Sequence, residues 1–97
     1  MTKKQALSTL TRHRSEFRQR FGVQRMALFG SLARDEGGEG SDADVLVEFA
    51  GGADFDRFMD LKFHLEKLLG VRVDLVTEKA LRPRLRESIE KEAIRVA

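Results

Sequence analysis

Residues 23–49 read VQRMALFGSLARDEGGEGSDADVLVEF, and the fold turns on how this stretch is punctuated. Val23–Phe29 is apolar and partly β-branched, as a buried strand requires. Gly30-Ser31 then breaks the run with two small residues before the helix-competent stretch Leu32–Glu36, which predicts a strand, a tight turn and a helix start. Gly37, Gly38 and Gly40 make a loop that ends at Ser41. Asp42–Phe49 resumes as a second strand, closed by Gly51-Gly52.

Upstream, Leu7, Leu10, Phe17 and Phe21 recur at helical spacing with Arg14 on the same stripe. This predicts one amphipathic helix over the first twenty residues, stopped by Gly22. Downstream, Asp54 is placed to cap a second helix in which Phe58, Leu61, Leu65, Leu68 and Leu69 share one face and Gly70 takes the C-terminal position. Phe63 points almost opposite that stripe, with Met59 between. Phe55, Met59 and Phe63 therefore form either an exposed ridge for a partner or the margin of a wider core. Val71–Val76 alternates as a third strand, and Pro83 opens a last helix running through Leu85 and Ile89 to Ile94. The order helix, strand, short helix, strand, helix, strand, helix predicts a small α/β or α+β domain. One sheet of at least three strands, parallel or mixed, is covered by helices.

At 97 residues the chain has room for one core, so a single domain over 1–97 is expected. With no cysteine there are no disulfides or thiolate metal sites, and the isolated His13 and His64 do not make a zinc site. Any metal is expected on oxygen. No apolar run reaches the roughly 20 residues of a membrane span. Met1–Gln5 carries lysines without the apolar segment of a signal peptide, so a cytoplasmic protein with no membrane contact is expected. Eighteen Lys and Arg against sixteen Asp and Glu leave +2, too small a balance to argue for a nucleic-acid partner. The charge is segregated, however. Lys3, Lys4, Arg12, Arg14, Arg18, Arg20 and Arg25 crowd the first quarter; Asp35, Glu36, Glu39, Asp42, Asp44, Glu48, Asp54 and Asp56 crowd the next. Differently solvated faces would produce this, and so would a basic helix beside an acidic cleft that takes a polyanion through metal ions.

Asp42 and Asp44, one residue apart on a strand, direct both carboxylates to one face roughly 7 Å apart. Asp74 lies inside the apolar strand between Val73 and Leu75, a costly place for an acid. If the two strands are neighbours, the three carboxylates converge at about 5–7 Å and each pair repels by roughly 2–3 kcal/mol at an effective dielectric near 20. Magnesium suits such a group, because it takes hard oxygen ligands from one or two carboxylates together with substrate phosphates. Taken singly, Asp42 also reads as a cap after Ser41, and Asp74 as the partner of Arg72 or another arginine. Upstream, Gly30-Ser31 permits close backbone approach, and the helix start behind it offers amides and a hydroxyl to an anion.

Gly30-Ser31-Leu32-Ala33-Arg34, then Ser41-Asp42-Ala43-Asp44-Val45-Leu46-Val47, then Val73-Asp74-Leu75-Val76-Thr77 together resemble the signature of the DNA-polymerase-β-type nucleotidyltransferase superfamily. The short chain is similar to its minimal nucleotidyltransferase branch in particular. The likeness runs from about Val23 to Thr77, with Leu81-Arg82-Pro83 to Ala93 also family-like. It implies a small mixed sheet flanked by helices, with Gly30 and Ser31 on the triphosphate of ATP. It further implies Asp42, Asp44 and Asp74 as catalytic residues and ligands of Mg2+, two ions in the family pattern. Arg34 matches the family's arginine and contacts phosphate or a neighbouring acid, unless it makes only a surface salt bridge.

Members of this branch commonly serve as antitoxins paired with a HEPN-domain toxin, transferring AMP from ATP to a tyrosine of that toxin. This chain has no tyrosine, so such an acceptor belongs to another molecule. Two other readings stand beside this one. One is a non-catalytic antitoxin that neutralises by binding, and the other is nucleotidyl transfer to a small molecule or RNA. Asp35 departs from the family pattern, which often has glycine there, and adds an acid near the expected triphosphate.

Overall fold

The computed structural model describes residues 1–36, 41–52 and 54–97; the loop expected at Gly37, Gly38 and Gly40 lies outside the described residues. The predicted N-terminal helix is two helices, α1 (Lys3–Arg12) and α2 (Arg14–Phe21), divided at His13. The division is local chemistry that hydrophobic spacing does not report. His13 Nδ1 lies 2.8 Å from the Thr9 carbonyl, which an unbroken helix would offer to the His13 amide, and that amide bonds Leu10 instead. Leu10 and Phe17 still reach the core together, and Gly22 ends α2 in the left-handed region at φ 68°.

The strands are β1 (Val23–Phe29), β2 (Ala43–Phe49), β3 (Val73–Thr77) and β4 (Ile94–Arg95), in spatial order β3-β2-β1-β4. β1 runs antiparallel to β2 and to β4, while β2 and β3 are parallel, so the sheet is mixed. A parallel pair needs a long crossover, and α4 (Phe55–Leu69) supplies it. Asp54 caps α4 by accepting from the Arg57 amide at 2.7 Å, and Gly70 ends it at φ 71°, both as the sequence predicts. The short α3 (Gly30–Ala33) follows β1, and α5 (Pro83–Glu92) starts on its proline. The predicted continuation of that helix to Ile94 is wrong. Ala93 is extended, and Ile94–Arg95 pairs with Ala27 and Leu28, giving the β1 edge a two-residue partner too short to leave a pattern in sequence.

One sheet face carries α1, α2 and α4 over the main core of Leu10, Phe17, Met26, Leu28, Val45, Val47, Leu61 and Leu65. The other face is thinly covered: Phe29 and Leu46 meet Ile89 of α5, with Val76, Leu81 and Ala93 at the margin. Of the apolar ridge on α4, Phe55 is 76% and Phe63 57% exposed, while Met59 is half-buried. No helix among the described residues is long and apolar enough to cross a membrane.

Glu78, after β3, is buried and accepts from Arg86 Nη2 at 2.6 Å, with Arg25 Nη1 3.6 Å away. Burial pushes its carboxyl up, but hydrogen bonding to Arg86, then to the neighbouring Glu90 and Glu48, and the charge of Arg25 outweigh this and hold it below the usual range. The group therefore stabilises the fold above the ordinary carboxylate range, and the contribution is lost as pH falls through the lowered native value. Glu78→Gln is expected to lower stability by about 1–3 kcal/mol at pH 7. The deficit should shrink on acidification in urea titrations at successive pH values; a deficit independent of pH would contradict the assignment.

Candidate active site at one end of the sheet

The parallel register sets Asp44 directly beside Asp74, with Ala43 beside Val73 and Val45 beside Leu75. Residues paired in this way raise their side chains on the same side, on strands about 4.8 Å apart. Asp42 precedes β2 by one residue and shares the alternation of Asp44. On the other flank Asp44 pairs with Phe29, so Gly30 and Ser31 leave β1 at the same end of the sheet. Asp44 also alternates with Leu46, which places it on the thinly covered face under the end of α5. Leu46 closes the small core while Asp44 stands at its open border, so an apolar strand can present acids here and remain packed elsewhere.

Contact between Gly30 and Asp44 is closer than any other residue at that position allows. Gly30 adopts φ +75°, and a Cβ built there would lie 2.1 Å from Asp44 Oδ2. The glycine thus seats the carboxylate as well as turning the chain. Burial raises the Asp44 carboxyl above its ordinary value, the charges of Asp74 and then Asp42 raise it further, and Arg34 opposes them. Asp74 is exposed, and Asp42 is half-exposed beside Arg72 Nε at 3.3 Å. The arginine that could have explained Asp74 as half of a salt bridge is thus on Asp42.

No group of three or more acids, imidazoles or thiols among the described residues forms a ready metal cage. The donors are nevertheless all oxygens, and repulsion among them raises Asp44, a charge imbalance that a divalent cation relieves. That donor set fits magnesium, which brings part of its coordination shell as water and substrate phosphate.

Arg34 reaches two acids: Nε donates to Glu36 at 3.0 Å and Nη1 to Glu92 Oε2 at 2.8 Å. Glu92 Oε1 also accepts from the Gly30 amide at 3.1 Å. Sequence reasoning missed Glu92, sixty-two positions from Gly30, because the last helix was carried past it. Reading Ile94–Arg95 as a strand returning beside β1 would have brought Glu92 to the end of that strand.

Asp35 is exposed at φ +58°, and it lines a depression with Lys3, Lys4 and Leu7 of α1. The acid at 35 therefore shares a depression with two lysines. Asp35→Gly is expected to relieve left-handed strain and stabilise by about 0.5–1 kcal/mol. A variant that melts lower than the parent would show instead that Asp35 makes a contact that outweighs the strain.

The nucleotidyltransferase domain family matches residues 10–96. The chain is similar to protein adenylyltransferase MntA of Thermococcus cleftensis, 40% identical over 96 residues that make up 99% of this chain and 97% of that protein. It is similar to a solved structure assigned as a minimal nucleotidyltransferase, with a TM-score of 0.82 at 44% identity over 97% of this chain and 95% of that one. A variant MntA–HpeT toxin–antitoxin structure superposes with a TM-score of 0.64 at 26% identity, covering 78% of this chain and 60% of that one.

Proposed function

Because this chain belongs to the nucleotidyltransferase domain family, we propose that it is a magnesium-dependent protein adenylyltransferase and antitoxin. It acts in the cytoplasm as a single domain over 1–97, moving AMP from ATP to a tyrosine hydroxyl of a partner HEPN-domain toxin. The observation that carries this reading is the β2–β3 register, which sets Asp44 beside Asp74 at the sheet end where Gly30-Ser31 begins α3. The relative named as a protein adenylyltransferase supports the reaction class, and the toxin–antitoxin structure supports the kind of partner.

In this reading Ser31 and Arg34, with Gly30 at the turn, would hold the triphosphate, and Asp42, Asp44 and Asp74 would hold magnesium. A cation bound there would supply charge neutralisation on the phosphates and a lowered pKa for the attacking hydroxyl. The tyrosine oxygen bonds to the α-phosphorus, the bond from that phosphorus to the bridging oxygen breaks, and pyrophosphate leaves. Asp74, the exposed acid, takes the hydroxyl proton on the open side. The remaining acceleration is positioning of hydroxyl and leaving group in line.

Exposed Phe55 and Phe63 favour a second reading, neutralisation by binding alone. An Asp42→Ala, Asp44→Ala double variant separates the two in cells carrying a HEPN toxin. Lost protection with the complex intact supports the enzyme, and retained protection supports the binding antitoxin.

A further inference from the structure

The geometry points to Glu92 as a positioning residue of this site, one carboxylate that ties the Gly30 amide to the Arg34 guanidinium and so orients Arg34 for the nucleotide's phosphates and the Gly30 turn against Asp44. The inference rests on the nucleotidyltransferase reading above. Glu92 closes α5 and reaches across to α3, where Oε1 accepts from Gly30 N at 3.1 Å and Oε2 from Arg34 Nη1 at 2.8 Å. Glu36 takes Arg34 Nε at 3.0 Å from the other side. A guanidinium has five N–H donors in a planar fork, and two carboxylates on its Nε and Nη1 fix that plane while leaving the Nη2 edge for a phosphate. Held only by Glu36, two residues away on the same exposed turn, Arg34 would keep the freedom of a surface side chain.

The other bond acts on the backbone. Gly30 is the residue whose left-handed conformation lets Asp44 Oδ2 lie where a Cβ would be, so an acceptor on its amide holds the orientation of the turn against the carboxylate. A single side chain from the C-terminal quarter thereby couples the phosphate-facing arginine to the seat of Asp44. The short β4 that follows makes this reach possible, since Ile94 pairs with Leu28 at the end of β1 and delivers Glu92 beside Gly30.

The test is a double-mutant cycle on the full chain, read by nucleotide binding in magnesium and by steady-state transfer to a HEPN toxin. Glu92→Gln keeps the length but offers one acceptor where the carboxylate offers two. It is expected to raise the nucleotide Kd and KM by about five- to tenfold with kcat moved less than threefold. Glu92→Ala should exceed that, and thermal melts identify any variant that fails to fold. In an Arg34→Ala background Glu92→Gln should cost less than half as much, because the partner it acts through is gone. Equal losses in both backgrounds overturn the inference, as does tighter binding by Glu92→Gln, which would make Glu92 a competitor of phosphate. Absence of nucleotide binding and transfer by the unaltered chain would defeat the functional reading and this inference with it. An active parent with a Glu92→Gln variant that binds and transfers as the parent does would defeat the inference alone.

Discussion

Asp44→Asn is expected to melt at a higher temperature than the parent at pH 7 while losing transfer activity by at least about a hundredfold to a thousandfold. Burial and the charges of Asp74 and Asp42 raise the folded-state pKa of Asp44, so ionising it costs the native state more than the unfolded chain. That penalty is present in full above the raised value and fades as pH falls through it, the reverse of the usual stabilising carboxylate. Solvent screening of this partly buried group keeps the gain from its removal small. The gain in Asp44→Asn should shrink towards zero on acidification. Differential scanning calorimetry at pH 7 and pH 4, beside transfer assays, checks both halves. A variant that melts lower at pH 7 would mean the acids are held by contacts rather than strained together, and one that retains activity would remove Asp44 from the chemistry.

Gly30→Ala should be the most disruptive glycine-to-alanine change among the described residues. Its Cβ would stand 2.1 Å from Oδ2, 2.9 Å from Cγ and 3.1 Å from Cβ of Asp44, and φ +75° adds left-handed strain. The Asp44 side chain can swing away from the contact, but only by leaving its place beside Asp74. We therefore expect a stability loss of about 2–4 kcal/mol, of which about 1–2 kcal/mol is backbone strain. Transfer activity should fall about as far as in Asp44→Asn. In an Asp44→Ala background the two carboxylate clashes are gone and the 3.1 Å approach to Cβ and the strain remain, so the cost of Gly30→Ala should roughly halve. Chemical denaturation of the four proteins measures this; equal costs in the two backgrounds would show that the contact between Gly30 and Asp44 carries no energy.

Much of the site lies close together in sequence, and that part was legible. A turn of two small residues after an apolar strand, followed by two acids at strand spacing, requires nothing from distant parts of the chain. Asp74 needed a further step, because its meaning depends on whether β3 lies beside β2 and in which register. Sequence supplied an acid between Val73 and Leu75 and the condition that its strand lie beside that of Asp44; the parallel register meets that condition. The caps at Asp54 and Gly70 were legible because they are set by neighbours within one turn. The break at His13 was not, because a side chain bonding the Thr9 carbonyl leaves the hydrophobic stripe intact. β4 was missed because two residues carry no periodicity, and Glu92 was missed with it.

Arg34 shows the same limit from another side. Its motif position suggested phosphate or a nearby acid, and the structure holds it on Glu36 and Glu92, one local and one 58 residues away. The long-range partner is invisible to any argument from spacing. The ridge on α4 was only partly resolved by sequence, since helical angle separates Phe63 from the core stripe but does not say that Met59 tucks in while Phe55 stays out.

The most direct measurement is intact-mass spectrometry of a HEPN-domain toxin after incubation with this chain, ATP and magnesium, with an Asp74→Asn variant in parallel. A gain of one or more adenylyl groups on a toxin tyrosine is expected, absent with the variant and absent when magnesium is chelated. An unmodified toxin that nevertheless co-elutes with the chain as a stable complex would contradict it and leave an antitoxin that works by binding.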